Sequence, residues 1–243
     1  MAGLSLLNLS LTTISVFFSL VSVFQITNYK AQTEQIEEYI ASRNFDEIVT
    51  KTVIDKDTLV YTGPNAKAGF IFYPGANVEY IAYEPLMYSL ASKGFKCVLL
   101  KMNFDFAMFS IDAAKGIKEK FPEIENWYIG GHSLGGVCAA VYAYNHLKDF
   151  KGIVFLASYP INDFAKKDIK MLSLYGSDDK VLNMNSYNIF KKFFSKKAQE
   201  YVIEGGIHSY FGMYGLQNGD GTPSIGNVEQ IEYASAKIAE LEN

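Results

Sequence analysis

The chain contains 243 residues with a mass of 27.2 kDa, of which 49% are hydrophobic and 20% are charged. This length and composition suit a folded domain with a large core, and they exclude collagen-like, disulfide-scaffold and wholly disordered chains. The net charge of −4 provides no basic field, so we expect no nucleic acid partner. Cys97 and Cys138 both lie in apolar runs and are expected to be buried free thiols.

The first 29 residues contain no Asp, Glu, Lys or Arg. Within them, the 24-residue span Leu4–Thr27 is long enough, as a helix, to cross a hydrocarbon core of about 30 Å. The span lacks the positively charged start and the A-x-A-like cleavage site of a signal peptide. We therefore expect residues 1–29 to form an apolar helix that anchors the chain in a membrane; a cleaved signal and a buried or peripheral helix are the alternatives.

Residues 30–44 are predicted to be a helical linker, because Ile36 and Ile40 share one face of Glu34–Ser42. Residues 45–243 are predicted to form one α/β domain with a doubly wound, mostly parallel sheet, because short apolar runs alternate with helix-length segments. Three of these runs (GFIFY, CVLL and IVFL) lack polar alternation, which is typical of strands covered on both faces. The predicted strands are Glu47–Ile54, Thr58–Tyr61, Gly69–Tyr73, Cys97–Leu100, Trp127–Ile129, Ile153–Leu156, Met171–Tyr175 and Glu200–Ile203, and the predicted helices are Tyr83–Ser92, Ile111–Lys120, Leu134–Leu147, Asn185–Lys197 and Val228–Leu241.

A glycine-rich run, GGHSLGG at residues 130–136, separates a predicted strand from a predicted helix. It contains the pattern G-x-S-x-G, with Gly131, Ser133 and Gly135 in the fixed places. The two glycines let the strand and the helix approach without Cβ clashes, while the tight turn exposes the serine oxygen. Backbone N–H groups at the start of the helix then face the place where negative charge develops. The pattern predicts that Ser133 is a nucleophile.

A nucleophilic serine needs a base, and the chain has three histidines. His132 is adjacent to Ser133 and is expected to point away from it. His146 lies about three helical turns further along the chain. His208 follows the last predicted strand in a late loop, where this kind of fold supplies its imidazole, so His208 is the predicted base.

The base in turn needs a carboxylate that fixes its tautomer. Asp178 and Asp179 directly follow the predicted strand Met171–Tyr175 and stand between the serine and the histidine in the chain. Asp163, which comes after the preceding strand, is a third candidate. The residues alone leave this choice open.

Taken together, these motifs resemble the α/β-hydrolase superfamily, and most closely its small bacterial dienelactone-hydrolase-like proteins. The similarity covers about residues 67–226 and includes Tyr-Pro-Gly-Ala at 73–76, GGHSLGG, YGSDDKV at 175–181 and the run from 205 to 220. The resemblance implies that Asp179 is the acid and that the N–H groups of Ala76 and Leu134 form an oxyanion hole. Two departures concern Pro74, which replaces the family's histidine, and Ser133, where dienelactone hydrolases have a cysteine.

The resemblance implies a carboxylesterase-like serine hydrolase acting on small or medium esters, without a metal or organic cofactor. About 14 residues separate two successive predicted strands at Ala157–Lys170, too few for a lid domain. An acyltransferase, a thioesterase, a peptidase and a catalytically silent binding module are the alternatives. By resemblance to exported relatives, the domain is expected outside the cytoplasm. The loop aromatics with a weaker prediction of substrate contact are Tyr80, Phe104, Tyr159 and Tyr210.

Overall fold

The computed structural model describes residues 28–242. The predicted apolar helix at Leu4–Thr27, and the membrane anchor inferred from it, lie outside the described residues. Among residues 28–242, no helix has both the length and the apolar character needed to traverse a bilayer.

The described chain alternates strands and helices along most of its length. The strands are β1 (Thr50–Asp55), β2 (Thr58–Thr62), β3 (Ala68–Tyr73), β4 (Phe95–Leu100), β5 (Asn126–His132), β6 (Gly152–Leu156), β7 (Lys170–Gly176) and β8 (Ala198–Ile203), and the α-helices are α1 (Thr33–Ser42), α2 (Phe45–Ile48), α3 (Glu84–Ala91), α4 (Leu134–Asn145), α5 (Met184–Phe190) and α6 (Asn227–Ala239).

The strands form one sheet in the order β1-β2-β4-β3-β5-β6-β7-β8. Strand β2 pairs antiparallel with both β1 and β4, and every other pairing is parallel. The predicted doubly wound, mostly parallel sheet is therefore confirmed. Its parallel strands all end at one edge, where the loops that follow them gather.

The core consists of two apolar layers, one on each face of the sheet. Along β3, Phe70 and Phe72 face the layer that contains α3 and α6, whereas Ile71 and Tyr73 face the layer that contains α4. All four side chains are fully buried. This is why the apolar run of β3 has no polar alternation. Cys97 and Cys138 are free and buried, as predicted, and burial raises the pKa of the Cys138 thiol to about 12.

The predicted helix Ile111–Lys120 is wrong: the structure has two short 3₁₀ turns, Ile111–Ala114 and Lys118–Lys120. The buried hydroxyl of Tyr73 donates to the Ile111 carbonyl at 2.7 Å and accepts from the Ala114 N–H at 3.1 Å. These two hydrogen bonds fix the first turn. They use backbone groups that would otherwise pair with each other's neighbours within a continuous helix. Lys115 is extended and ends this turn, and Gly116 then takes a φ of +77°.

Strand β1 begins later than predicted, because Phe45–Ile48 forms the short helix α2. Strand β5 instead extends through the glycine pair, since Gly130 and Gly131 still pair with β3 and β6. Residues 157–169, which join β6 to β7, contain neither helix nor strand. That no lid domain covers the site stays a prediction.

Helix α1 belongs to the segment predicted as a linker, and it packs on the domain. Its side chains Ile36, Tyr39 and Ile40 are buried in the same apolar layer as α3 and α6. At its end, Arg43 forms a 2.8 Å ion pair with Glu232 of α6. The apolar face seen in the sequence therefore covers part of the core.

Candidate active site

Ser133 lies in the turn between β5 and α4, with φ 52° and ψ −125°. Residues other than glycine rarely adopt such a conformation, and it persists only where the surrounding structure holds it. The Ser133 N–H donates to the Leu156 carbonyl at 2.9 Å. Its carbonyl accepts from Ser158 Oγ at 2.7 Å and from the Gly136 N–H at 3.1 Å. These bonds hold the strained turn at the edge where the parallel strands end.

The two outer glycines of the turn allow the close approach expected from the sequence. A Cβ on Gly131 would lie 2.4 Å from the Tyr73 carbonyl oxygen. A Cβ on Gly135 would lie 2.2 Å from the same oxygen and 2.3 Å from that of Pro74. Backbone atoms have little room to move away, so neither position accommodates a side chain.

Asp179 and His208 form a buried pair, with Asp179 Oδ2 2.8 Å from His208 Nδ1. The other oxygen, Oδ1, accepts from the N–H groups of Val181 at 2.9 Å and Leu182 at 2.8 Å. Burial acts to raise the pKa of Asp179, but the charge and hydrogen bond of His208 and these two backbone donors outweigh it, so the pKa is lowered. The carboxylate therefore stays ionised and holds a proton on Nδ1 of the imidazole.

The structure separates Asp179 from the other two aspartate candidates. Asp163 is exposed, and its carboxylate accepts from the Ala165 N–H two residues along. Asp178 is half-buried, and its backbone N–H donates to the Gly206 carbonyl. Within the described chain, Asp179 alone of the three contacts the imidazole of His208.

His208 contacts His132, and this contact places it beside the Ser133 turn. The centroids of the two imidazole rings are 4.6 Å apart, and His132 directly precedes Ser133. His208 Nε2, the ring nitrogen away from Asp179, is buried and has no hydrogen-bond partner among residues 28–242. The third histidine, His146, stacks on Tyr142 at the end of α4. His208 thus has one nitrogen held and the other free to accept a proton.

The two residues predicted to supply oxyanion donors, Ala76 and Leu134, follow the ends of β3 and β5. Leu134 is the first residue of α4, where helical N–H groups have no partner within the helix. The N–H of Gly75 donates to the Tyr83 hydroxyl at 3.1 Å, and Ala76 follows it. Within the described residues, neither the Ala76 N–H nor the Leu134 N–H is used in a backbone hydrogen bond.

The four aromatics predicted to contact substrate occupy different environments. Phe104 is 84% exposed on the turn after β4, with a φ of +57°. Tyr159 is buried and stacks on Phe190 with ring centroids 5.4 Å apart. Tyr80 is half-buried after the Gly75 loop, and Tyr210 is half-buried two residues beyond His208. Contact with substrate stays a prediction for all four.

Sequence reasoning set His132 aside and did not single out Tyr83. In the structure both are buried, and the Tyr83 hydroxyl lies 2.8 Å from His132 Nδ1. The sequence signals that could have indicated them are weak: the position before the serine, and a tyrosine near the Pro-Gly-Ala turn. No cluster of three or more His, Cys, Asp or Glu side chains within residues 28–242 is arranged to hold a metal ion.

Comparisons with known proteins agree on the fold. Residues 69–232 match the model of the alpha/beta hydrolase family. Est1E from Butyrivibrio proteoclasticus aligns with a TM-score of 0.58 and 14% identity, covering 80% of this chain and 99% of that one. A predicted CIB-like hydrolase from Thermoplasma acidophilum aligns with a TM-score of 0.56 and 13% identity, covering 79% and 98%.

A lipase candidate from Acinetobacter baumannii AYE aligns with a TM-score of 0.55 and 12% identity, covering 85% of this chain and 96% of that one. Among curated proteins, a sequence search found no significant match. At these identities the structural similarities bear on the fold alone.

Proposed function

Because the chain belongs to the alpha/beta hydrolase family, we propose that it is a serine hydrolase that cleaves small or medium carboxylic esters. The observation that carries the proposal is the buried 2.8 Å contact between Asp179 and His208 beside the strained Ser133 turn. The choice of esters rests on the resemblance of the sequence motifs to carboxylesterase-like serine hydrolases. The similarity to dienelactone-hydrolase-like proteins stays a resemblance, since the proposed nucleophile position holds serine and not cysteine.

In the proposed mechanism, His208 Nε2 takes the proton of Ser133 Oγ as this oxygen attacks the ester carbonyl. The N–H groups of Ala76 and Leu134 donate to the oxyanion of the tetrahedral intermediate; where one comparable donor has been removed elsewhere, the rate fell by about 10²–10³. His208 then gives its proton to the leaving alcohol, and an acyl group remains on Ser133. Water, activated by His208, attacks this acyl-enzyme and releases the acid.

Labelling with a fluorophosphonate probe tests the proposed nucleophile. We expect wild type to be labelled, Ser133→Ala to be unlabelled, and the exposed Ser224→Ala control to be labelled like wild type. A panel of p-nitrophenyl esters of increasing acyl length then tests the substrate class, with fastest turnover expected for short and medium chains. An unlabelled, inactive wild type would instead favour a silent binding module. Faster turnover of thioesters or amides, or transfer to an added alcohol, would favour the corresponding alternative chemistry.

We also propose that Leu4–Thr27 tethers the chain to a membrane with the domain outside the cytoplasm. The support is the uncharged sequence of residues 1–29, which ends at Tyr29. There, the Tyr29 N–H donates to the Asn77 carbonyl at 2.8 Å and the Glu79 N–H to the Tyr29 carbonyl at 2.9 Å. The exposed Phe104 lies on the neighbouring turn, whose Asp105 carbonyl accepts from the Asn77 N–H.

Partitioning between membrane and soluble fractions tests the tether. We expect the full chain to sediment with membranes and a chain that begins at Asn28 to stay in solution; starting there retains the bonds of Tyr29. Equal partitioning of the two chains would refute the tether. An alkaline phosphatase fused after residue 243, which is active only outside the cytoplasm, tests the orientation: an inactive fusion would place the domain inside.

A further inference from the structure

A second buried imidazole lies beside the proposed base and takes no part in the mechanism above. His132 is 1% exposed, and its ring lies 4.6 Å from that of His208 and 5.7 Å from that of Phe211. Its Nδ1 is 2.8 Å from the hydroxyl oxygen of Tyr83, which is fully buried. A polar pair in such a place needs an explanation, because burying polar groups costs free energy unless they are hydrogen-bonded.

The Tyr83 hydroxyl links the Gly75 backbone to His132. Its oxygen accepts from the Gly75 N–H at 3.1 Å, and one hydrogen bond joins it to His132 Nδ1, with the donor set by the tautomer of the imidazole. Burial, together with the nearby His208, holds the pKa of His132 well below its usual range, and burial raises the pKa of Tyr83. Both side chains are consequently neutral beside the proposed base.

The same pair also fixes the loop that contains the first oxyanion donor. A Cβ on Gly75 would lie 2.7 Å from His132 Nδ1 and 2.9 Å from the Tyr83 oxygen, so the backbone of Gly75 packs directly against both. Ala76 follows Gly75, and the direction of its N–H depends on how the preceding peptide is held. The pair thus links the Gly75 loop, the Ser133 turn and the ring of His208.

We propose that Tyr83 and His132 form a positioning pair. The pair holds the Gly75 loop so that the Ala76 N–H points at the oxyanion, and the His132 ring packs against the ring of His208. This inference rests on the proposed function. Neither residue touches substrate; each acts through the groups that it holds. Because an oxyanion exists only in the transition state and the intermediate, losing the pair should weaken transition-state binding more than substrate binding.

Tyr83→Phe tests the proposal, since it removes the hydroxyl and keeps the ring. We expect kcat for a short ester to fall about tenfold, less than for loss of a whole donor, with KM nearly unchanged. The Ki of a trifluoromethyl ketone, which forms an oxyanion on the serine, should rise by the same factor.

The matched control is Tyr128→Phe. Tyr128 lies near the start of β5, at the opposite end of the strand from His132, and its buried hydroxyl donates to the Leu241 carbonyl at 2.9 Å. This variant should lower the Tm without changing kcat or the Ki of the ketone. The control separates a general loss of stability from misplacement of the oxyanion donor.

Variants of His132 keep the proposal testable if Tyr83→Phe folds poorly. His132→Asn places an amide that can hydrogen-bond near the position of Nδ1, whereas His132→Leu does not. We expect the Asn variant to retain most of the wild-type kcat and the Leu variant to lose about as much as Tyr83→Phe. The double variant Tyr83→Phe/His132→Leu should lose little more than either single one, because both act through one hydrogen bond.

Ester turnover by wild type separates the two possible failures. Wild type without turnover would overturn the proposed function and, with it, this inference. An active wild type whose Tyr83→Phe and His132→Leu variants keep kcat and the Ki of the ketone would overturn the inference alone. Additive losses in the double variant would overturn the claim that the two residues act as a pair.

Discussion

Ser133, the proposed nucleophile, occupies a backbone conformation that costs about 1–3 kcal/mol to maintain. Part of that cost is offset by the four groups that donate to its carbonyl or accept from its N–H. One of them, Ser158 Oγ, is a side chain and can be removed singly. Ser158 lies outside the proposed catalytic set. Its substitution therefore tests how the strained turn is held.

Ser158→Ala is expected to lower the free energy of unfolding by about 1–2 kcal/mol, the effect of removing one buried hydrogen bond, and to reduce kcat. Ser195→Ala is the control, because its buried Oγ likewise donates to a backbone carbonyl, that of Ile169, at 2.6 Å. It should lose similar stability and keep kcat. Urea denaturation and ester kinetics measure the two effects; an unchanged kcat in Ser158→Ala would contradict the prediction.

The lowered pKa of Asp179 predicts how stability changes with pH. A carboxyl group whose pKa is lower in the folded chain stabilises the fold fully above its unfolded value of about 3.9, and this contribution is lost as the pH falls through the folded value. Wild type should therefore exceed Asp179→Asn in free energy of unfolding by the most near pH 6, and the difference should shrink below about pH 4. Urea titrations from pH 6 to 2.5 measure it. A difference independent of pH would show that the carboxylate is not selectively stabilised.

Sequence patterns could indicate Ser133 and His208 because each has a local signature, a G-x-S-x-G turn and a histidine after the last strand. The choice between Asp178 and Asp179 was beyond the local pattern. It depends on which carboxylate faces a residue 29 positions away. The Tyr83–His132 pair could not be predicted for the same reason, since 49 residues separate two side chains that meet only after the sheet has formed.

At the scale of elements, the contact between α4 and the end of β3 limits which side chains fit in the turn between β5 and α4. Gly135→Ala would place a Cβ 2.2 Å from the Tyr73 carbonyl oxygen, so we expect a loss of about 1–3 kcal/mol in stability together with loss of ester turnover. Gly226→Ala is the control, because no atom lies within 4 Å of its added Cβ. Chemical denaturation of both variants measures the difference. Equal stability would mean that α4 can move away from β3 at no cost.

The elements differ in how far the sequence could predict them. Strands with continuous apolar runs, such as β3 and β6, were predicted to within one residue at each end, because burial on both faces leaves no polar position in them. The predicted helix Ile111–Lys120 does not form. Its apolar residues have helical spacing, but the Tyr73 hydroxyl of β3 fixes the backbone at Ile111 and Ala114. A contact from a distant strand overrode a local pattern.

At the scale of the whole molecule, α1 provides part of the cover of the core. Compared with a chain that begins at Asn28, one that begins at Phe45 loses three buried side chains, Ile36, Tyr39 and Ile40. Full burial of one such side chain contributes about 1.5–3 kcal/mol, so we expect a clear fall in Tm and binding of a hydrophobic dye at the uncovered face. Thermal unfolding of the two chains measures this. The same Tm for both would identify α1 as a spacer, the role first predicted for residues 30–44.

The overall topology could be predicted because alternating strands and helices leave few ways to build a parallel sheet. The position of α1 could not, since an amphipathic pattern shows that a helix has an apolar face but does not show which surface it covers. Its partner surface is formed by α3 and α6, which come from later parts of the chain.

The attachment of residues 29–31 to the segment after Ala76 has a mechanical consequence. Tyr29 bonds to Asn77 and Glu79, and the Ala31 N–H donates to the Glu79 carboxylate at 3.0 Å. A pulling force applied at the amino end therefore reaches the loop of the proposed oxyanion donor before it reaches the sheet. Immobilised by that end under tension, the molecule would lose turnover at forces that leave its sheet intact, whereas a pull from the carboxyl end would first reach the bonds of Leu241 and Glu242 with Tyr128 of β5.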